Sequence, residues 1–321
     1  MGFTDFWRKK KKDGAETAIS KLSPAIVDSI ASATGVRSIP PMPGAAQKAF
    51  QLATDPNAEV RDFLSVIESD ESLSARVLRI ANSVYYDRGN KSSTVEEAIR
   101  VIGLDELKGL LNANTLTEIF PSPHPARTQL WANDIATALI CRSLAARLMP
   151  NRTSLAFVCG LMHDIGKLLL LQRTPEDYSK VIRLVEREAL DFTRAEEQVY
   201  PFDHAQVGQL IAEKWNFAPE VIEAIANHHK YDNKILGSDS STNVEVPKSS
   251  NFSWIVYCAD TIAHSLGLGQ PANFHKFKGQ QEAKLEAIWK SLAIAENEQR
   301  TMLSNYKRAF DLEYDLYATN Y

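Results

Sequence analysis

Histidine and aspartate side chains recur on apolar stretches in the second half of the chain. The most apolar stretch runs from residue 155 to residue 171 and is interrupted by the pair His163-Asp164, with Gly166 and Lys167 directly behind it. A helix that is apolar on nearly every face belongs in a protein core, where an unpaired polar group costs roughly 2–7 kcal/mol. The two side chains therefore need partners, which are either a metal ion and a phosphate or other protein groups.

Further potential ligands follow on other predicted helices. A single histidine on an apolar helix is more often a hydrogen-bonded core residue than a ligand, but one shared polar centre accounts for all of these residues together. Imidazole nitrogens and carboxylate oxygens are suitable ligands for Zn, Mn, Fe or Mg ions. The candidate metal ligands are His163, Asp164, His204, His228, His229 and Asp260.

Two interpretations of this centre remain open. A divalent metal held by His163, Asp164 and Asp260 would polarise a phosphoryl oxygen and activate a bound water, which is the chemistry of a phosphohydrolase. Lys167 would then stabilise the phosphate charge. In the alternative, the same residues form a structural hydrogen-bond cluster, with Asp164 paired to Lys167 or to a histidine. His163 would then bond to Asp260.

Helical signals surround these candidates along the whole chain. Apolar residues recur at helical spacing, strands are hard to find, and Thr94 with Glu97 forms the sequence pattern of a capping box. Asp203 is placed to cap a helix that begins at His204. Pro219 suits the first turn of the helix that delivers the two adjacent histidines at its end. The predicted fold class is all-α.

Proline-rich stretches divide the chain into units. Residues 1–35 are predicted to form a basic arm and one helix, and a new unit begins after the break around residues 38–44. Within that unit a boundary is predicted between 36–120 and 126–275, because three prolines separate them, namely Pro121, Pro123 and Pro125. Residues 276–321 are predicted to form a helical extension. The serine- and threonine-rich stretch from Leu236 to Asn251 is predicted to be a long exposed loop.

Composition limits the partners and the compartment. The net charge of −4 and the pI near 6.0 do not suit a nucleic-acid surface, which is normally basic. Cys141, Cys159 and Cys258 are far apart and set in apolar surroundings, which indicates free thiols in a reducing, cytoplasmic environment. The basic cluster Arg8–Lys12 follows a very short apolar run, so neither a signal peptide nor a transmembrane segment is expected. The cluster is most simply a solvated arm.

The sequence His163-Asp164-Ile-Gly-Lys167, with the later Asp260, resembles the HD superfamily of metal-dependent phosphohydrolases. The closer resemblance is to its HDOD branch, the HD-related output domain of bacterial signal-transduction proteins. The matching stretches cover about residues 36–270 in family order. They are Ile39–Gly44, Ile67–Ala75, Ile80–Ser83 with Tyr86, Ala98–Leu104, Leu130-Trp131, His163–Lys167, Asp203-His204 and Ala226–His229. The resemblance implies an HD-domain-like helical bundle over 36–275, with an N-terminal helical subdomain.

Two departures from the family pattern bear on activity. HD enzymes place a further metal-ligating histidine on an earlier helix, and Asn133 stands at that position here. An asparagine is a weaker ligand than imidazole, so a degenerate pocket of lower metal affinity is expected. The related HD-GYP enzymes, which hydrolyse cyclic di-GMP, carry a Gly-Tyr-Pro loop after the paired histidines. This chain has Lys230–Leu236 there instead, so hydrolysis of cyclic di-GMP is not expected.

The resemblance implies a non-catalytic regulatory protein that binds signalling partners through protein contacts. One alternative is a metal-dependent phosphohydrolase acting on a nucleotide or phosphate ester, with the three remaining histidines completing a second metal site or holding the substrate. The other alternative is a sensor that binds a nucleotide or a metal in the same pocket. The identity of the signalling partner, the substrate and the oligomeric state do not follow from the sequence.

Overall fold

Helices provide all of the regular secondary structure in the described part of the chain. The computed structural model describes residues 20–35, 39, 42, 44–55, 57–83, 85–86, 89, 91–188, 190–231, 251–269 and 278–318. Over these residues there are sixteen α-helices, one 3₁₀ helix and no strand. The predicted all-α class is therefore confirmed. The basic arm and most of the predicted serine-rich loop lie outside the described residues.

The N-terminal block contains six helices, which precede the triple-proline stretch. Short polar residues start several of them, and the predicted capping box is present: the Glu97 amide donates to Thr94 Oγ1 at 3.1 Å, and the Thr94 amide donates to Glu97 Oε2 at 3.2 Å. The helices are α1 (Pro24–Thr34), α2 (Gly44–Thr54), α3 (Val60–Glu68), α4 (Glu71–Ala81), α5 (Val95–Ile102) and α6 (Leu104–Ile119).

The second block carries every candidate ligand. Asp203 caps the helix that begins at His204, as predicted, by accepting from the Gln206 amide at 2.9 Å. The helices are α7 (Ala126–Leu148), α8 (Thr153–Met162), α9 (Ile165–Arg173), α10 (Pro175–Glu188), α11 (Phe192–Glu197), α12 (His204–Lys214), α13 (Pro219–Asn227) and α14 (Phe252–Ser265), with a 3₁₀ turn at Pro150–Arg152 between α7 and α8.

Two further helices follow, α15 (Lys278–Ser291) and α16 (Glu296–Ala318). The last helix packs against α6 and α7 through a half-buried charge network. Arg142 of α7 pairs with Glu106 of α6 and Glu313 of α16, both at 2.6 Å. Tyr317 donates a further hydrogen bond to Glu106. One guanidinium thus joins three helices and fixes the end of the chain against both blocks.

One continuous apolar core runs through the N-terminal block and the second block. The stretch Pro150–Arg173 has the length and hydropathy of a membrane span, and 94% of its most apolar window is buried inside the protein. Because α8 packs against α6, α7, α13 and α14, this stretch forms the centre of the core. The apolar character noted in the sequence is accounted for by that packing. The division into units at 36–120 and 126–275 stays a prediction.

A close helix crossing positions the HD pair. A Cβ atom added at Gly166 of α9 would lie 2.0 Å from the carbonyl oxygen of His204, the first residue of α12. Gly208, one turn along α12, faces the same crossing and leaves no room for a Cβ beside Ile225. Real Cβ atoms do not approach backbone so closely, so the two glycines permit this contact. The crossing brings His204 to the start of α9, where Asp164 lies.

We predict that Gly166→Ala separates α9 from α12 and lowers the free energy of unfolding by about 1–3 kcal/mol, because an extra methyl group in a packed crossing forces backbone shifts. Urea denaturation followed by circular dichroism measures the change. Gly44→Ala is the matched control, since a Cβ there meets no atom within 4 Å. Equal stability of the two variants would contradict the role assigned to the crossing.

Candidate metal centre

The His163-Asp164 pair lies in a turn between two helices. Helix α8 ends at Met162 and α9 begins at Ile165, so the prediction of one uninterrupted helix through the pair is wrong. The break lies at Asp164, whose backbone angles, φ −104° and ψ 17°, are outside the α-helical region. The turn places both polar side chains at the meeting point of four helices.

The predicted ligands converge from separate parts of the second block, and Asp164 contacts three of the histidines. Its Oδ1 lies 3.0 Å from His204 Nε2 and 3.5 Å from His228 Nε2. Its Oδ2 lies 3.3 Å from His163 Nε2. His229 joins through His204, with 2.9 Å between the two Nε2 atoms. The structure thus brings together side chains from the α8–α9 turn, the start of α12 and the end of α13.

Asp260 lies at the edge of this arrangement. Its Oδ1 is 3.7 Å from His163 Nε2 and 3.3 Å from His264 Nε2, which is one turn further along α14. Two groups of potential metal ligands have all their donor atoms within 4.8 Å of one another, and Asp260 belongs to neither. The groups are Asp164, His204, His228 and His229, and Asp134, His163 and Asp164.

Three histidines are held so that Nε2 faces the centre. His163 Nδ1 donates to the Gly160 carbonyl at 2.7 Å, and His228 Nδ1 donates to the Ile225 carbonyl at 2.7 Å. A carbonyl only accepts, so the proton on each ring is assigned to Nδ1. His204 Nδ1 contacts Glu196 Oε2 at 2.6 Å. Anchoring of the outer ring nitrogen by a carbonyl or carboxylate is typical of metal-ligating histidines.

The spacing between the inner atoms suits a common cation. Besides the 2.9 Å contact with His229, His204 Nε2 lies 3.3 Å from His228 Nε2. Two ligands about 2.0–2.1 Å from a tetrahedral zinc ion stand roughly 3.3–3.4 Å apart. The 3.3 Å separation from His204 to His228 matches that range, and the 3.5 Å separation from His228 Nε2 to Asp164 Oδ1 lies just above it. Close approach of ring nitrogens to one another needs a proton or a metal ion between them.

Several buried atoms of the centre lack a hydrogen bond of acceptable geometry within the described residues. They are His163 Nε2, Asp164 Oδ1, Asp260 Oδ1 and both carboxylate oxygens of Asp134. Buried polar groups are normally satisfied, so these atoms indicate an additional bonding partner. Nitrogen and carboxylate donors are a suitable ligand set for zinc, manganese or iron. The residues therefore fit a divalent metal.

The surrounding charges keep the Asp164 carboxylate ionised. Burial raises the pKa of Asp164, but the charges of His163, Lys167 and His204 outweigh burial and lower this pKa well below its ordinary value. Burial lowers the pKa of His163, but the negative charges of Asp164 and Asp260 outweigh burial and raise this pKa well above its ordinary value. The negative carboxylate and the positive groups around it thus stabilise one another inside the core.

The remaining histidines differ in their protonation. Burial opposes the charged form of His204, but Glu196 and Asp164 outweigh it and raise its pKa to about 9. Burial is the dominant effect on His228 and lowers its pKa. His228 is therefore a neutral ligand ready to offer Nε2, whereas a metal ion bound by His204 would displace a proton.

Lys167 is engaged within the protein. Its Nζ lies 2.5 Å from Asp164 Oδ2 and 4.2 Å from the centre of the Phe192 ring, and only 3% of the residue is exposed. Burial lowers the pKa of Lys167, but Asp164 and other carboxylates reverse the shift and raise it. The lysine is a fixed counter-charge for Asp164, and its ammonium is turned away from solvent.

Sequence reasoning missed two carboxylates of the centre. Glu196 is fully buried, bonds the His204 amide at 2.8 Å and accepts from Tyr178 at 2.9 Å. Asp134 is fully buried and lies 3.9 Å from His163 Nδ1. Burial raises the pKa of Asp134 to about 8. The acid next to Asn133, at the start of the mainly apolar run 135–141, was the signal that could have identified Asp134.

Asn133 has a different environment from its neighbour. Its Nδ2 donates to the Leu268 carbonyl at 3.5 Å, beyond the end of α14. The loss of a histidine ligand at this position stays a prediction. The structure adds that the next residue along α7, Asp134, brings a carboxyl oxygen close to His163 and Asp164.

The HDOD domain model matches residues 39–231, which is more than half of the chain. The protein therefore belongs to the HDOD family, and the resemblance inferred from the sequence is confirmed. An uncharacterized protein of Treponema pallidum (strain Nichols) is 24% identical over 216 residues, a match that covers 67% of this chain and 41% of that protein. The chain thus spans less than half the length of this curated relative.

Three solved structures share the fold. An HDOD domain protein with unknown function from Geobacter sulfurreducens has 21% identity and a TM-score of 0.67, over 91% of this chain and 96% of that one. A "Putative signal transduction protein" from Marinobacter aquaeolei VT8 has 23% identity and a TM-score of 0.70, over 91% of this chain and 65% of that one. A "Putative phosphohydrolase" from Shewanella amazonensis SB2B has 22% identity and a TM-score of 0.62, over 92% and 96%.

We predict that Glu196→Gln weakens metal binding about 10–100-fold, because the charged anchor of His204 Nδ1 is lost while the ligands themselves remain. Competition with a chromophoric chelator measures the affinity for Zn²⁺. Glu197→Gln is the matched control, since this neighbouring glutamate is exposed. Equal affinities of the two variants would show that Glu196 does not orient His204 for a metal.

Proposed function

We propose that this HDOD protein is a regulatory component of bacterial signal transduction, acting in the cytoplasm through contacts with signalling proteins. In this proposal its HD centre holds a divalent metal ion without turning over a substrate. The observation that carries the proposal is the enclosure of the centre: the ligand atoms converge on one point, yet His163 and His204 are 0% exposed and Asp164 is 3% exposed.

The donor set supports the metal. One ligand group offers a nitrogen from each of three histidines, His204, His228 and His229, and a carboxylate oxygen from Asp164. Three histidines of the centre, His163, His204 and His228, have their Nδ1 atom held by a carbonyl or a carboxylate. Such a set suits zinc, manganese or iron better than magnesium, which prefers oxygen ligands. When bound, the ion supplies positive charge to neutralise the buried carboxylates and a rigid junction between α9, α12 and α13.

Two observations support the absence of turnover. A phosphate ester needs surface on the ligands it contacts, and the side chains of Asp164 and His163 are 4% and 1% exposed. Lys167, the residue expected to contact phosphate, is held by Asp164 and covered by the Phe192 ring. A rigid metal-stabilised body with an enclosed centre suits the presentation of outer surfaces to partner proteins.

A metal-dependent phosphohydrolase is the second candidate function. One observation favours it: there are two ligand groups, both including Asp164, and a pair of metal ions held by them would stabilise the attacking and leaving oxygens of an in-line displacement at phosphorus. The Shewanella amazonensis protein named a phosphohydrolase has the same fold, but at 22% identity this similarity supports a shared fold and not a shared activity. This candidate requires that the centre opens to admit a phosphate ester.

We predict stoichiometric divalent metal in protein purified without added metal, measured by elemental mass spectrometry. Asp164→Ala should remove it, because this carboxylate belongs to both ligand groups. Asp311→Ala is the control, since Asp311 is exposed and pairs only with Lys307 in the described structure at 3.2 Å. Hydrolysis of nucleotides, cyclic dinucleotides and aryl phosphates should stay at background in all three proteins.

The outcomes separate the candidates. Metal-dependent hydrolysis by the native chain that is lost in Asp164→Ala would replace the regulatory proposal with the phosphohydrolase. Native protein without metal, and without uptake from Zn²⁺, Mn²⁺ or Fe²⁺ solutions, would refute the metal and leave a structural hydrogen-bond cluster. A large thermal shift with a nucleotide but no hydrolysis would favour a sensor.

A further inference from the structure

A cavity lies on the side of α7 where the N-terminal block meets the end of α16. Its volume is about 250 Å³, near the lower end for small-molecule sites. The wall combines a guanidinium, three aliphatic hydroxyl groups and two aromatic side chains, one of which is a phenol. Its lining residues are Thr117, Pro121, Ser122, Arg127, Thr128, Trp131, Tyr314 and Ala318. The predicted metal ligands do not line it.

Arg127 is the unusual member of this wall, because it is a cation with only 9% of the residue exposed. Its Nε donates to the Phe120 carbonyl at 3.3 Å, which satisfies the end of α6. Its Nη2 is buried and has no hydrogen-bond partner among the described residues. The guanidinium lies 5.0 Å from the centre of the Trp131 ring. A buried cation with a free donor indicates an anionic partner.

The surrounding backbone and hydroxyl groups also favour an anion. Arg127 and Thr128 belong to the first turn of α7, a 23-residue helix in which His124 accepts from the Ala126 amide through Nδ1 at 3.1 Å and from the Arg127 amide through its carbonyl at 2.9 Å. The amides of a helix start carry partial positive charge and bind phosphate groups in many proteins. Thr117 and Ser122 add hydroxyl donors from the end of α6 and the following segment. The number of donors suits the several oxygens of a phosphate group.

The aromatic side chains supply the apolar part of the cavity. Trp131 is fixed by a hydrogen bond from Nε1 to the Tyr317 carbonyl at 3.3 Å, and Tyr314 of α16 lies on the same wall. The nearby acidic group is Asp134, further along α7, which acts on Arg127 electrostatically. Both aromatic residues line the cavity together with Arg127 and offer apolar surface against which the organic part of a ligand can pack.

We propose that this cavity binds the phosphate group of a small phosphate monoester or free phosphate, with Arg127 as the principal contact and Trp131 and Tyr314 against the organic part. The site is separate from the metal centre and does not depend on the proposed function. Since it is lined by α6, α7 and α16, its ligand contacts both blocks and the final helix at once.

Isothermal titration calorimetry with phenyl phosphate, inorganic phosphate and phenol tests the proposal on the full chain without added metal. Phenyl phosphate should bind saturably and phenol should not. Arg127→Gln should weaken phenyl phosphate binding at least about 10-fold, because a hydrogen bond to a charged group is lost. Equal affinity for inorganic phosphate would assign the site to the free ion, and weaker affinity would assign it to a monoester.

Matched variants locate the binding. Arg152→Gln is the control, because Arg152 also lies over an aromatic ring, 4.8 Å from Phe252, but does not line the cavity. Asp164→Ala should retain binding, since it alters only the metal centre. If Arg127→Gln does not fold, the double variant Ser122→Ala and Thr128→Val removes two lining hydroxyls and should weaken binding.

Three results would overturn the proposal. The first is no saturable binding of either phosphate by the native chain. The second is undiminished binding by a folded Arg127→Gln or by the double hydroxyl variant. The third is binding that is lost in Asp164→Ala and kept in Arg127→Gln, which would place the phosphate at the metal centre.

Discussion

Asp164 is a carboxylate that the fold removes almost completely from water, with 3% of the residue exposed. An isolated ion buried in this way would cost far more than the net stability of a domain, which is about 5–15 kcal/mol. The protein surrounds it with positive groups from three segments, namely His163 of the α8–α9 turn, Lys167 of α9 and His204 of α12. The helices must bring these positive groups within contact of Asp164 to compensate its charge. Gly166 makes this possible for α9 and α12, because it has no Cβ atom to collide with the His204 backbone.

Local signals in the sequence were sufficient to predict much of this arrangement. Asp203 caps α12 and Pro219 begins α13, so the places of His204 and His228 at helix ends followed from residues within a few positions of them. The turn at His163-Asp164 was missed, because the apolar run continues on both sides of the pair. Glu196 and Asp134 were missed because the histidines that they contact belong to other parts of the chain.

The structure separates two environments along α7. Towards its middle, Asp134 faces a centre whose ligands are buried except for the half-buried His229, which suits a metal that stabilises the fold. At its start, Arg127 faces a cavity reached by three segments of the chain. An enclosed centre and an accessible cavity on one helix suit a regulatory protein, because ligand binding at the cavity can change the contacts of α16 without chemistry at the HD pair.

We propose that the buried carboxylate and histidines share a divalent metal ion. Crystals of the native chain, measured at the absorption edge of the metal found by elemental analysis, test this directly through an anomalous difference map. A peak is expected about 2.0–2.2 Å from Asp164 and the Nε2 atoms of His204 and His228. A map without a peak there, with a water molecule or direct hydrogen bonds joining the same atoms, would contradict it.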